Sequence, residues 1–436
     1  MNSELPDRRL AQEIIDCMGE SGQPPEHGLE FVTVGLDSFL EIIEHEYLGR
    51  LLGEAGGSAF RLVEGSYGAG KTHFLRCVRS IAQRLGFLTC SVDLSPAECP
   101  YEDAVRVYRA AYNLVSYRFS SPPTDTMKNS GSKSHPETES VGENHDCARD
   151  TVPSIQPEIL QGFTNILRYS VQGKLPFPPL KSLEDVPVEN FTFRLVCQRF
   201  MDICRQGGRE DEELVLEHWL GGSASYERGI LRQFGIYDDI ASDNAMPILR
   251  SMVSILTALG FPGVIFLFDE VDRQSCSASV KHLQAIGDTL RQLIDLCASS
   301  RLPRVMFFYA APPEFMRLDV ASYPALQQRL ARPLNMSRSS PQSVVINLEE
   351  AMQSDGSFFR ELGRRLAKAA VVAWDWQDFD AELLETNLGF FVNFMLDHVF
   401  TGGYRSFVKF WIAILYRFHS DGQRRLTEDD LSSLLL

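Results

Sequence analysis

One stretch, Gly65-Ser66-Tyr67-Gly68-Ala69-Gly70-Lys71-Thr72, limits what this chain can fold into, because it fills every fixed position of the pattern G-x-x-x-x-G-K-[ST]. The apolar run Phe60-Arg61-Leu62-Val63 precedes it, and His73-Phe74-Leu75-Arg76-Cys77-Val78 opens a helical pattern behind it. Strand, loop and helix in that order are the setting the motif requires. Three glycines let the backbone curl until successive N–H groups point inward, and the helix that follows adds its positive N-terminal dipole. Such a nest, Gly65 to His73, fits a polyphosphate. Lys71 is placed to reach the β- and γ-phosphates, and the Thr72 hydroxyl to ligate Mg²⁺.

A phosphate cradle needs an acidic group on its metal side, at the end of a buried strand. Gly263-Val264-Ile265-Phe266-Leu267-Phe268 is a continuous apolar run, as expected of a central parallel strand, and it ends in Asp269-Glu270. Ligands sit at such strand ends. Asp269 is the candidate for holding Mg²⁺ through water. Glu270, aimed the other way by strand alternation, is the candidate for orienting or deprotonating an attacking water. That division of roles points to hydrolysis.

The remaining elements follow in chain order. Leu10, Ile14, Ile15 and Met18 have helical spacing, an extended segment from Pro24 to Gly35 follows, and a second amphipathic helix is expected from Leu36 to about Leu52. An extended segment just before the P-loop strand suits an adenine ring, with Val34 and Gly35 as candidates. Further buried strands are expected at Phe87–Leu94, Arg304–Ala311 and Val344–Leu348, and a helix from Tyr101 to about Tyr117. Residues 120–157 are almost devoid of apolar side chains and read as a disordered polar insertion. The next segment, 158–259, reads as a helical insertion suited to a partner or substrate. The organisation expected is therefore an N-terminal helical segment over 1–55, an α/β core over 56–119 and 260–350, the two insertions, and a helical lid over 351–436.

Composition narrows the setting. With 44% hydrophobic and 23% charged residues, the chain reads as a globular protein. It lacks any apolar run approaching the ~18 to 20 residues that span a bilayer. The cysteines show no C-x-x-C pair and lie partly in apolar segments, which suits reduced thiols, so a cytoplasmic location without membrane attachment is expected. A formal net charge of −16 opposes nonspecific nucleic-acid binding by the protein as a whole, though a local basic strip or a partner can still reach DNA.

Two arginine positions and one gap matter for turnover. Tyr323-Pro324-Ala325-Leu326-Gln327-Gln328-Arg329-Leu330-Ala331-Arg332 places Arg329 and Arg332 where either could complete the γ-phosphate site of a neighbouring subunit. Arg405, in the first turn of a helix behind Gly402-Gly403, opposes that helix's dipole, which suits either an anionic ligand or a salt bridge. The end of the strand at Ala310-Ala311 is apolar where related ATPases often carry a polar γ-phosphate sensor, leaving Tyr309 or Glu314 as substitutes.

Together these features resemble the AAA+ ATPase plan, a parallel sheet sandwiched by helices with a helical lid. More narrowly, Val63 to Leu75, Val92-Asp93-Leu94-Ser95-Pro96 and Ser322 to Leu330 resemble bacterial P-loop ATP-binding proteins of the bacteriophage-exclusion (BREX) defence systems. The resemblance implies ATP binding, Mg²⁺-dependent hydrolysis, assembly with itself or with partner proteins, and DNA-linked phage defence. It assigns Lys71 and Thr72 to phosphate and Mg²⁺, Asp269 and Glu270 to the acidic pair, Arg329 to the finger and Arg405 to the lid sensor. The runner-up expectation is a low-turnover, ATP-dependent switch or adaptor that acts through its helical insertion.

Overall fold

The apolar runs become the strands of one sheet. In the computed structural model, residues 5–94, 103–119, 159–207, 210–223, 227–269, 280–299, 301–320, 323–330, 335–351, 356–397 and 403–435 are described. The strands are β1 (Ser58–Glu64), β2 (Leu88–Asp93), β3 (Ser116–Arg118), β4 (Ile159–Gln161), β5 (Val264–Asp269), β6 (Val305–Ala311) and β7 (Val345–Asn347). They lie in the order β4-β3-β2-β5-β6-β1-β7. The five strands from β2 to β7 pair in parallel, whereas β3 and β4 join the β2 edge antiparallel. The expected disordered insertion, 120–157, lies outside the described residues.

Strand alternation sends side chains to two separate cores. From β5 and β6, Phe266, Phe268, Phe307 and Tyr309 enter one cluster, while Ile265, Leu267, Met306 and Phe308 enter another on the opposite face. Phe266 and Phe307 stack with ring centroids 5.0 Å apart. Phe163, Phe193, Phe200 and Met252, all from the 158–259 stretch, belong to the first cluster, so this helical stretch covers one face of the sheet. The helix behind the P-loop, Lys71–Arg84, covers the other face with Phe74, Leu75 and Val78.

The expected helix from Leu36 to Leu52 differs from an ordinary α-helix. It is α-helical over Asp37–Ile42 and widens into a π-helix over Ile43–Glu54. Gly49 and Gly53 weaken α-helical preference there. Arg304 Nη1 donates to the carbonyls of Leu52 and Gly53, each at 3.2 Å, meeting acceptors that the helix end leaves open.

A third core joins the two ends of the chain. Ile14, Ile15 and Met18 from the helix Arg8–Ser21 pack with Leu362, Leu366, Phe391, Phe407 and Trp411 of the C-terminal helices Ser357–Trp374, Ala381–Asp397 and Gly403–Asp421. Trp411 Nε1 donates to the Gly363 carbonyl at 2.9 Å, a buried partner for the indole. Among the described residues no helix is long and apolar enough to cross a membrane. Phe307→Ala, which removes the ring stacked on Phe266, is expected to cost about 3–5 kcal/mol of unfolding free energy in urea denaturation. A loss below about 1 kcal/mol would deny that this stack anchors the sheet.

Candidate functional site

The turn from β1 into its helix has the backbone that its glycines demand. Gly68 and Gly70 have φ of 80° and 89°, in the left-handed region that side chains disfavour. Lys71 is buried and folds back on the loop, its Nζ donating to the carbonyls of Gly65 at 2.8 Å and Ser66 at 3.1 Å. The Thr72 hydroxyl donates to Asp269 Oδ2 at 2.6 Å, so the loop and the acid at the end of β5 meet. Asp93, at the end of β2, lies across from Asp269 in the strand register. Glu270 lies outside the described residues.

A cavity of about 150 Å³ opens beside this pair. Its wall combines Tyr67, Lys71, Thr72, His73 and Asp269 with Gly22–Pro24 from the N-terminal segment and Tyr404–Arg405 from the C-terminal helix. Arg405 Nη1 donates to the Tyr67 hydroxyl at 2.6 Å, and the guanidinium lies 5.1 Å from the ring centroid. Gly22 makes this approach possible. Its φ is 64°, and a Cβ there would sit 2.4 Å from Arg405 Cγ.

His73 has a defined proton. The Thr33 hydroxyl spends its hydrogen on the Leu29 carbonyl at 2.7 Å, leaving its lone pairs to accept from His73 Nε2 at 2.9 Å. Burial pushes the imidazole pKa down to about 4, so the ring is neutral at pH 7 and Nδ1 presents an acceptor. Among the described residues that Nδ1 has no hydrogen-bond partner, nor does the buried hydroxyl of Tyr404, whose ring centroid lies 6.1 Å from that of His73. An orphaned acceptor and an orphaned hydroxyl on one cavity wall are what a polar ligand would satisfy. With Lys71 for phosphate and the oxygen pair Thr72–Asp269 for a hard cation, the donor set fits a Mg²⁺-nucleotide.

The other sequence candidates are placed as follows. Val34 packs against the C-terminal core and is not among the cavity's lining residues, nor is Gly35; Gly22, Gln23 and Pro24 stand there instead. Arg329 is turned to Asp295, donating from Nε at 2.6 Å and from Nη2 at 2.9 Å. Those hydrogen bonds hold the Asp295 carboxyl below, and the Arg329 guanidinium above, their usual ranges. Arg332 lies outside the described residues. Ala310 and Ala311 are fully buried at the end of β6, and Tyr309 is buried in the core below them.

Three contributors escape a reading of the sequence. Glu349 accepts from the Ser66 N–H at 3.0 Å and also from the Ser66 hydroxyl. It is set there by a turn in which Asn347 Oδ1 accepts from the Glu349 N–H at 2.9 Å, and Asn-x-Glu after a final strand was the available signal. Tyr404 sits beside the arginine that was singled out. Thr33, which fixes the His73 tautomer, has no local signature. Thr33→Val is expected to leave His73 Nε2 unpaired and cost about 1–3 kcal/mol in urea denaturation, with little change expected if the hydroxyl were dispensable.

Comparison with protein families gives a match to the BREX system ATP-binding protein BrxC/D family over residues 7–126 and 178–374. The match takes in the P-loop, the Asp269 strand end and Arg329, and stops short of Arg405. Comparison with curated proteins and with solved structures gives no match.

Proposed function

The chain belongs to the family of BREX system ATP-binding proteins BrxC/D, and from that premise we propose that it is a Mg²⁺-dependent ATP hydrolase of the P-loop, AAA+-like type working in phage defence. The observation that carries this reading is the 2.6 Å hydrogen bond between Thr72 and Asp269, which brings the phosphate loop and the acidic strand end to one point. The strand order β2-β5-β6-β1-β7, with one strand between the acid and the loop, supports the same assignment.

The residues divide the work. Lys71, released from the carbonyls of Gly65 and Ser66, neutralises β- and γ-phosphate charge, while the loop amides hold the phosphate oxygens. Thr72 and Asp269 would hold Mg²⁺, which when bound neutralises phosphate charge. Glu270 orients and deprotonates the attacking water. His73 Nδ1 and the Tyr404 hydroxyl face the remainder of the nucleotide, and the adenine extends beyond this cavity, past Gly22–Pro24, toward Val34 and Gly35. Arg405, linked to the loop through Tyr67, senses the γ-phosphate and moves the C-terminal helices when it is lost. Arg329, or Arg332, acts on the site of a neighbouring copy; for Arg329 that means exchanging Asp295 for phosphate. Work is delivered to DNA or a DNA-bound partner, with the chain acting in the cytoplasm.

A second reading is a slow, ATP-dependent switch that presents its helical 158–259 stretch to a partner. One observation favours it: β6 ends in buried Ala310 and Ala311, which offer no polar group to the γ-phosphate. Turnover decides between the two. Lys71→Ala is expected to weaken ATP binding by about 100-fold or more, and Glu270→Gln to keep binding while lowering steady-state hydrolysis about 100-fold or more. Hydrolysis by Glu270→Gln at the wild-type rate would remove Glu270 from its role. Tight ATP binding with no turnover in the wild type would establish the switch. In mixtures with wild type, Arg329→Ala is expected to depress activity beyond simple dilution; a loss equal to dilution would exclude action in trans.

A further inference from the structure

The apolar run of β1 is broken by Arg61, and Arg61 is buried, with 6% of its surface exposed. Its guanidinium lies 4.1 Å from the Tyr47 ring centroid and donates to the Phe60 carbonyl at 2.5 Å and to the Tyr47 hydroxyl. Among the described residues its Nε has no hydrogen-bond partner, and no carboxylate forms an ion pair with it. Burial lowers its pKa to about 10, which still leaves it charged at neutral pH. A buried guanidinium with no carboxylate paired to it is costly, because desolvation is not repaid by a close opposite charge.

Arg61 lines a cavity of about 340 Å³, within the range of small-molecule sites. The cavity lies between the π-helix, the start of β1, the helix Val280–Ala298 and the approach to β7. It is separate from the nucleotide site, to which Arg61 contributes nothing: β1 begins at this cavity and ends at the P-loop. Its walls are largely apolar, with Leu51, Ala59, Ile294 and Val344. Glu46, the lining carboxylate, is already committed to Arg50 at 2.8 Å. A planar guanidinium with a free N–H favours an oxyanion, and the apolar walls favour a ligand with a hydrocarbon body.

We propose that this cavity binds a small organic carboxylate, the carboxylate taken by Arg61 and the apolar body lying against Leu51, Ile294 and Val344. The ligand supplies the charge that the fold leaves out, and a small shift of the guanidinium brings its buried Nε–H, unpartnered among the described residues, to the carboxylate. An uncharged analogue of equal shape gains only the walls. A bare inorganic anion gains only the guanidinium.

The test titrates benzoate, benzyl alcohol and inorganic phosphate separately into the full chain, followed by ligand-observed NMR. Saturable binding of benzoate is expected, with benzyl alcohol and phosphate each weaker by about tenfold or more. Arg61→Met keeps the aliphatic stem and is expected to lose benzoate binding by about tenfold or more while retaining ATP binding at the P-loop, which shows that it folds. Ala298→Trp, at the exposed rim, is expected to obstruct benzoate with Arg61 intact. Absence of benzoate binding, or equal affinity in the wild type and both variants, would overturn the site. Phosphate bound as tightly as benzoate would overturn the organic carboxylate as its ligand.

Discussion

The hydrogen bond from Thr72 to Asp269 depends on a sheet in which the strand leading to the loop and the strand carrying the acid are not neighbours. β6 lies between them, so their ends stand about 10 Å apart, two strand spacings. The loop from Gly65 to Gly70 has to close that gap across the end of β6. Small side chains there allow the crossing: Ala310 and Ala311 end β6, and the Gly65 N–H donates to the Ala311 carbonyl at 3.2 Å. The left-handed turns at Gly68 and Gly70 complete the curl. The apolar end of β6 thus has a structural cause, independent of any role in sensing phosphate.

A second constraint comes from the two chain ends meeting. The helix Arg8–Ser21 is bound into the C-terminal core, and its left-handed end at Gly22 receives the stem of Arg405. Rotation of the C-terminal helices would therefore carry the N-terminal helix with it. The short stretch from Leu29 to Gly35 is tied to the P-loop helix through Thr33 and His73 and to the C-terminal helices through Arg365, which donates to the Thr33 carbonyl at 2.6 Å. Thr33 is held from both sides. Its position links the tautomer of a buried imidazole to the packing of the C-terminal helices.

β5 and β6 were legible because each is buried on both faces and reads as a nearly continuous apolar run: Gly263–Phe268 differs from β5 by one residue at each end, and Arg304–Ala311 from β6 by one residue at its start. The P-loop was legible because its chemistry is local, carried by glycines, a lysine and a threonine at fixed spacing. β3 and β4 were not: each spans three residues, too short for alternation to register, and Ser116–Arg118 was absorbed into the expected helix ending near Tyr117. The π-helix was hidden for a related reason, since its apolar residues still satisfy a helical pattern at 3.6 as well as at a wider period. Glu349, Thr33 and Tyr404 reach the loop through tertiary contacts, and no local pattern could rank them above other polar residues.

Within β1 the two charged residues are both buried but lie three positions apart and on opposite faces. Arg61 points with Ala59 and Val63 toward the π-helix, whereas Glu64 falls on the alternate side, where Asn347 Nδ2 donates to its Oε2 at 3.2 Å. A central strand tolerates a buried charge only where something answers it. For Glu64 the answer lies within the chain, at the turn that also sets Glu349 on the P-loop. For Arg61 the described residues supply an aromatic ring, a hydroxyl and a carbonyl, but no paired carboxylate, beside a cavity large enough to admit one. The same interruption of hydrophobic pattern therefore has two meanings along one strand: a structural fixture at the end that meets the nucleotide loop, and an open valence at the end that does not.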